Sequence, residues 1–201
     1  MNGAESGNIA PERLARLGEL LDRQDIFDCI KRVSRGIDRF DRELFLSAYH
    51  DDALIDAGTF VESAQKVCDG GMALHDQGQT ATIHHLTNHT CDLDGDTAHT
   101  ETYFLYVGNN RDGTVWAAGG RYADRLERRE GEWKIAFRYT IIEWSGKVDP
   151  VEVPLAQNVP DIHGNGVPSR SREDRTYRRP LTNLRELHFP DNPGELGTLA
   201  D

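Results

Sequence analysis

Apolar side chains at Ile26, Ile30, Val33 and Ile37 recur at spacings of four, three and four, the stripe a helix turns toward a core. With Asp22 read as its N-cap, this helix is predicted to end near Phe40. A shorter helix over 12–21 precedes it, with Pro11 in its first turn. Asp38 follows Ile37 and so lies about 100° around the axis, at the border of the apolar face. Asp41 caps a further short helix carrying Leu44, Phe45, Ala48 and Tyr49. Residues 53–61 read as a strand broken near Gly58, and 63–77 as a helix that Gly70 and Gly71 weaken. Beyond Gly78 the period changes to two. Strands are predicted over 80–93, 97–107, 114–127 and 133–144, separated by turns at 94–96, 109–113 and 129–132. Helices first and an antiparallel meander after them define an α+β class, a curved antiparallel sheet over N-terminal helices.

The last strand is apolar on both sides, with Trp133, Ile135, Phe137, Tyr139 and Ile141 on one face and Ala136, Ile142 and Trp144 on the other. A sheet wetted on one side alternates more strictly, so one face is expected to cover helices and a pocket and the other to meet a second subunit, in a homo-oligomer (dimer or trimer). From Ser145 onward prolines interrupt every possible element. The predicted organisation is a flexible leader over 1–10, one domain over 11–145, and an extended Pro-rich tail over 146–201 that packs on a neighbouring subunit.

Lys and Arg total 23 against 34 Asp and Glu, a formal net charge of −11, which argues against nucleic acid and anionic membrane surfaces as partners. Three widely spaced cysteines, Cys29, Cys68 and Cys91, make no metal or redox motif and point to a reducing, cytoplasmic setting. No phosphate loop, nucleophile elbow or dinucleotide fingerprint is present, so no cofactor is expected.

The stretch 82–90, Thr-Ile-His-His-Leu-Thr-Asn-His-Thr, concentrates the candidate chemistry. Alternation along a strand sets His84, Leu86 and Asn88 on one face and His85, Thr87 and His89 on the other. His84 and His85 therefore cannot chelate together, and His85 and His89 lie about 13 Å apart, so no metal is expected. A neutral imidazole is a suitable general base near neutral pH when a carboxylate orients it, and Asp38 is the candidate carboxylate for His84. A histidine satisfied by ordinary strand packing is the competing reading.

The series Ser34–Asp41 (SRGIDRFD), then Tyr49-His50-Asp51-Asp52-Ala53, then Thr82-Ile83-His84 with Asn88 four residues on, resembles the SnoaL-like branch of the nuclear-transport-factor-2-like superfamily. The turns around Gly95-Asp96 and Gly131-Glu132 continue the likeness, which covers about residues 15–145. The resemblance implies a cone-shaped α+β fold with an apolar pocket. Family members such as scytalone dehydratase, hexachlorocyclohexane dehydrochlorinase and the bile-acid 7α-dehydratase use an Asp–His pair to take a proton from carbon while a neighbouring group leaves. Here the matching positions are Asp38 and His84, with Tyr49, Asn88 and Arg138 at substrate-binding positions. Val33 stands where related dehydratases carry a polar residue such as Tyr or Lys, which removes an acid or leaving-group contact. The expected function is a cofactor-independent lyase or isomerase acting on a small hydrophobic molecule. A non-catalytic binding module and the small subunit of a ring-hydroxylating oxygenase remain open beside it.

Overall fold

The computed structural model describes residues 10–149 and 164–186. The expectations for the leader over 1–9 and for the tail over 150–163 and 187–201 fall outside these residues.

The two helices predicted before Phe40 are one. Helix α1 runs unbroken over Pro11–Asp38, with Pro in its first turn. Asp22 is not a cap. Its carboxylate accepts from Trp133 Nε1 at 2.8 Å and from Arg128 Nη1 at 2.9 Å, so a long-range partner takes the role the sequence offered to a local one. Only the second half of α1 is covered, by burial of Ile26, Cys29, Ile30, Val33 and Ile37; Leu14, Leu20 and Leu21 remain exposed.

The end of α1 is tightly specified. Asp41 N–H donates to Gly36 C=O at 2.9 Å and Phe40 N–H to Ile37 C=O at 3.4 Å, a Schellman arrangement with Phe40 at the left-handed position (φ 52°). A phenylalanine there costs roughly 1–2 kcal/mol relative to glycine, and its ring is covered by the Arg170 guanidinium at 4.7 Å. Asp41 then caps helix α2 (Arg42–Leu46), accepting from Leu44 N–H at 3.1 Å. Gly36 permits this reversal, because a Cβ there would lie 2.7 Å from the Phe45 backbone nitrogen.

Strands β1 (Tyr49–Asp56) and β2 (Val61–Ser63) come next, and Ser63 caps helix α3 (Ala64–Gly78) by accepting from Lys66 N–H. Then come β3 (Gln79–Asp94), β4 (Thr97–Asn110), β5 (Val115–Arg129) and β6 (Glu132–Val148). One six-stranded sheet results, in the order β2-β1-β6-β5-β4-β3. It is antiparallel except between β1 and β6, which pair in parallel. The sheet curls through register shifts, one at Gly119/Gly120, and α1 and α3 lie in its concavity over Ile55, Leu126, Trp133 and Ile135. The outer face exposes Ile83, Tyr103, Leu105 and Tyr139, but Arg121 crosses it in ion pairs with Glu101 and Glu143, both at 2.7 Å.

Residues 164–186 fold back onto their own chain. Arg170 Nη1 donates to the carbonyls of His75 and Gln79, each at 2.9 Å, placing a cation at the C-terminal end of α3. Tyr177 donates its hydroxyl to Asp41 at 2.9 Å and lies under the Arg35 guanidinium at 4.7 Å. This strap therefore ties together the ends of α1 and α3, the two helix termini beside the site.

Candidate active site

Asp38 closes α1 in its last turn, where the helix dipole disfavours a carboxylate. Two hydrogen bonds from one residue compensate. His84 Nδ1 donates to Oδ1 at 2.7 Å, and the His84 backbone N–H donates to Oδ2 at 2.8 Å. The second bond is available because β3 is an edge strand of the sheet, with no strand on its far side among the described residues. Both side chains are nearly buried, at 13% and 11% exposed for His84 and Asp38. With Nδ1 committed to the carboxylate, Nε2 makes no hydrogen bond to a described residue, and in the neutral ring it is the nitrogen that carries the lone pair.

His84 lines a cavity of about 770 Å³ that opens to solvent between α3 and the sheet. Leu74, Phe104, Trp116, Ala118, Tyr122 and Ile142 supply its apolar wall, and its polar lining includes His75, Gln79, Tyr106 and Thr140 together with the charged Arg111 and Asp112. Asp38 does not line this space; it stands behind His84. Tyr122 stacks on Phe104 at 4.5 Å, and its ring carries the Arg138 guanidinium at 4.2 Å. Its hydroxyl has no described partner. Burial, opposed by Arg138, pushes the phenol up to about 12, so it is a neutral O–H donor at physiological pH.

The other three predicted positions lie elsewhere. Asn88 is exposed and does not share the face of His84. Leu86 pairs with Phe104 and His89 with Thr102, so Thr87 and Asn88 together oppose Tyr103; this bulge inserts one residue and reverses the alternation. His89 accordingly turns toward α1, stacking on Phe27 at 4.6 Å, with Nδ1 2.8 Å from Thr102 Oγ1. The phase change was present in the sequence, since the inward positions shift from even numbers (His84, Leu86) to odd ones (Cys91, Leu93). Arg138 is neither in the cavity nor at a sheet edge. It lies on β6 inside the sheet, 3% exposed, and grips Asp124 through paired bonds of 2.7 and 2.8 Å. Tyr49 belongs to the core cluster, where its hydroxyl is buried without a partner and burial pushes its phenol far up. Val33 is likewise a core residue.

Among the cavity groups that escaped sequence reasoning are Tyr122, Tyr106 and His75. Tyr106 and Tyr122 sit at inward positions of predicted strands, which their alternation with exposed neighbours could have indicated. His75 had no local signal, because its partners come from β3 and β4.

A curled sheet over three helices, with a cavity reached between helix and sheet, defines the cystatin-like cone of the nuclear-transport-factor-2-like superfamily. Within it the chain belongs to the SnoaL-like domain family, which matches residues 18–139. No curated protein matches it by sequence. Among solved structures it is similar to a hexachlorocyclohexane dehydrochlorinase (LinA, type 2), at 20% identity and a TM-score of 0.62, over 69% of this chain and 96% of that one. It is also similar to a candidate scytalone dehydratase from Novosphingobium aromaticivorans, at 16% identity and a TM-score of 0.59, over 67% and 93%. A cystatin-like protein of unknown function from Nostoc punctiforme matches at 21% identity and a TM-score of 0.53, over 61% and 92%. At these identities the likeness establishes the fold. Among the described residues no helix is long and apolar enough to cross a membrane.

Proposed function

We propose that this protein is a cofactor-independent lyase or isomerase that removes a proton from carbon in a small, largely hydrophobic molecule. The observation that carries this reading is the hydrogen bond between Asp38 and His84 Nδ1, which leaves Nε2 as a free base at the wall of an apolar cavity. Asp38 orients the imidazole and stabilises the imidazolium formed on proton transfer. The Tyr122 hydroxyl, kept protonated by burial, is the group suited to donate to the oxygen on which charge develops, the role Val33 cannot fill from α1. The dehydrochlorinase and the candidate scytalone dehydratase of the same fold support elimination as the reaction class.

The experiment is exchange of the benzylic protons of β-tetralone in deuterated water, followed by proton magnetic resonance with purified protein. Acceleration over buffer that disappears in His84→Ala is the expected result. Acceleration unchanged by that substitution would remove His84 from the mechanism. Val33 at a position polar in related dehydratases favours a second reading, a binding module that uses the cavity without turnover. Tight binding of β-tetralone with no exchange would select it.

A further inference from the structure

A second imidazole faces the same cavity, and its proton can be placed by following one chain of hydrogen bonds. The chain starts at Asp112, whose ionised carboxylate can only accept. Thr114 Oγ1 must therefore donate to it, at 2.7 Å. That hydroxyl oxygen accepts from Asn110 Nδ2 at 2.9 Å, which turns Asn110 Oδ1 toward Gln79 Nε2 at 3.3 Å. Gln79 Oε1 is then the atom facing the cavity wall, and it receives the Tyr106 hydroxyl at 2.8 Å and His75 Nδ1 at 2.6 Å. His75 Nδ1 thus bears the proton, and Nε2 is left with its lone pair and no described partner.

His75 stands edge-on to His84, with ring centroids 6.2 Å apart, and both line the cavity. Each imidazole is anchored at its far nitrogen, one by a carboxylate and the other by a carboxylate-ended chain. Each presents an acceptor. Tyr106 adds only lone pairs, its proton being spent on Gln79. Of the nearby cations, Arg138 is held by Asp124 and Arg170 by the backbone carbonyls of α3 and β3, while Arg111 lines the cavity beside Asp112 and donates from Nε and Nη2 to the Asp76 carbonyl.

We infer that His75 is a specificity-determining residue: its Nε2 accepts a hydrogen bond from a hydroxyl of the ligand, so the cavity prefers ring compounds bearing O–H over the corresponding ethers. An ether cannot donate to this nitrogen. The inference rests on the proposed use of this cavity as the ligand site, though not on any catalytic step.

The test is calorimetric titration of the full chain with naphthol and methoxynaphthalene, two probes that share one ring system. Wild-type protein should bind naphthol about tenfold more tightly than the ether, the scale of one hydrogen bond. In His75→Phe the preference for naphthol over the ether should fall to less than about threefold, with ether binding unchanged. Gln79→Leu, which frees the imidazole to take its other tautomer, should reduce the preference while retaining the ring. Equal losses for naphthol and ether in His75→Phe would make His75 a packing residue and overturn the inference. So would the absence of binding by both probes. The β-tetralone exchange assay with His84→Ala reports separately, so exchange lost in that variant with no naphthol preference would sink this inference and leave the proposed activity standing.

Discussion

Asp38 holds His84 at two atoms, the side-chain Nδ1 and the backbone N–H, and so fixes both the ring and the strand that carries it. In Asp38→Asn the single carbonyl oxygen can satisfy only one of these donors. When it keeps the backbone N–H, the amide NH₂ faces Nδ1, the imidazole must accept there, and Nε2 becomes protonated. The expected result is a fall in exchange rate of about 10²–10⁴-fold with the fold retained. Rates on β-tetralone, together with a thermal melt within a few degrees of wild type, check it.

The pair Arg138–Asp124 is more deeply buried than any surface ion pair here, with side chains 4% and 0% exposed. Arg138→Met leaves Asp124 without its partner in a site that excludes water. Destabilisation of about 3–5 kcal/mol is expected in chemical denaturation, and Arg138→Met with Asp124→Leu should recover a large part of it. A cost below about 1 kcal/mol for the single variant would mean that Asp124 has another partner or a route to solvent.

Burial lowers the His75 pKa below its ordinary value of 6.5; the Gln79 hydrogen bond opposes the shift and the neighbouring His84 adds to it. Arg170 also lowers it and Asp38 raises it. A depressed folded-state value means that this group favours the folded form above its ordinary pKa and ceases to do so as pH falls through the depressed one. Histidine Cε1 proton resonances should show His75 titrating below 6.5. Naphthol affinity should fall in acid over the same interval, because the protonated ring has no acceptor left.

Asp174 organises the strap. It accepts from Thr176 N–H at 2.9 Å and Ser169 N–H at 3.1 Å, and its hydrogen bonds with Thr176, set against burial, hold its carboxyl down at about 2. Its contribution is present above the ordinary 3.8 and is lost as pH falls toward 2. Asp174→Ala removes the cap at neutral pH, at a cost of about 1 kcal/mol to local structure. Limited proteolysis should then cut within 164–186 several-fold faster, with the rest of the chain protected. Unchanged cleavage would show that Arg170 and Tyr177 hold the strap without it.

The elements could be read along the chain wherever the deciding forces are local. The strand alternation, the turn glycines at Gly95, Gly113 and Gly131, and the caps at Asp41 and Ser63 all act within a few residues, and the predicted strands lie within a few positions of the observed ones. Asp22 misled because a carboxylate before an apolar stripe has the same appearance whether it caps a helix or waits for Trp133 and Arg128 more than a hundred residues away. Asn88 misled because one extra residue in a bulge inverts every later side chain of the strand.

The sequence by itself determined the class of fold, the order of helices and strands, and the family likeness that named Asp38 and His84 together. Only the tertiary structure decided that these residues touch, that Arg138 and Tyr49 are buried behind the cavity wall, and that His75 and Tyr122 face it. The reason is physical. Hydrogen-bond partners 31 to 136 residues apart are selected by how the sheet curls and where each helix ends, and no local pattern along the chain encodes either.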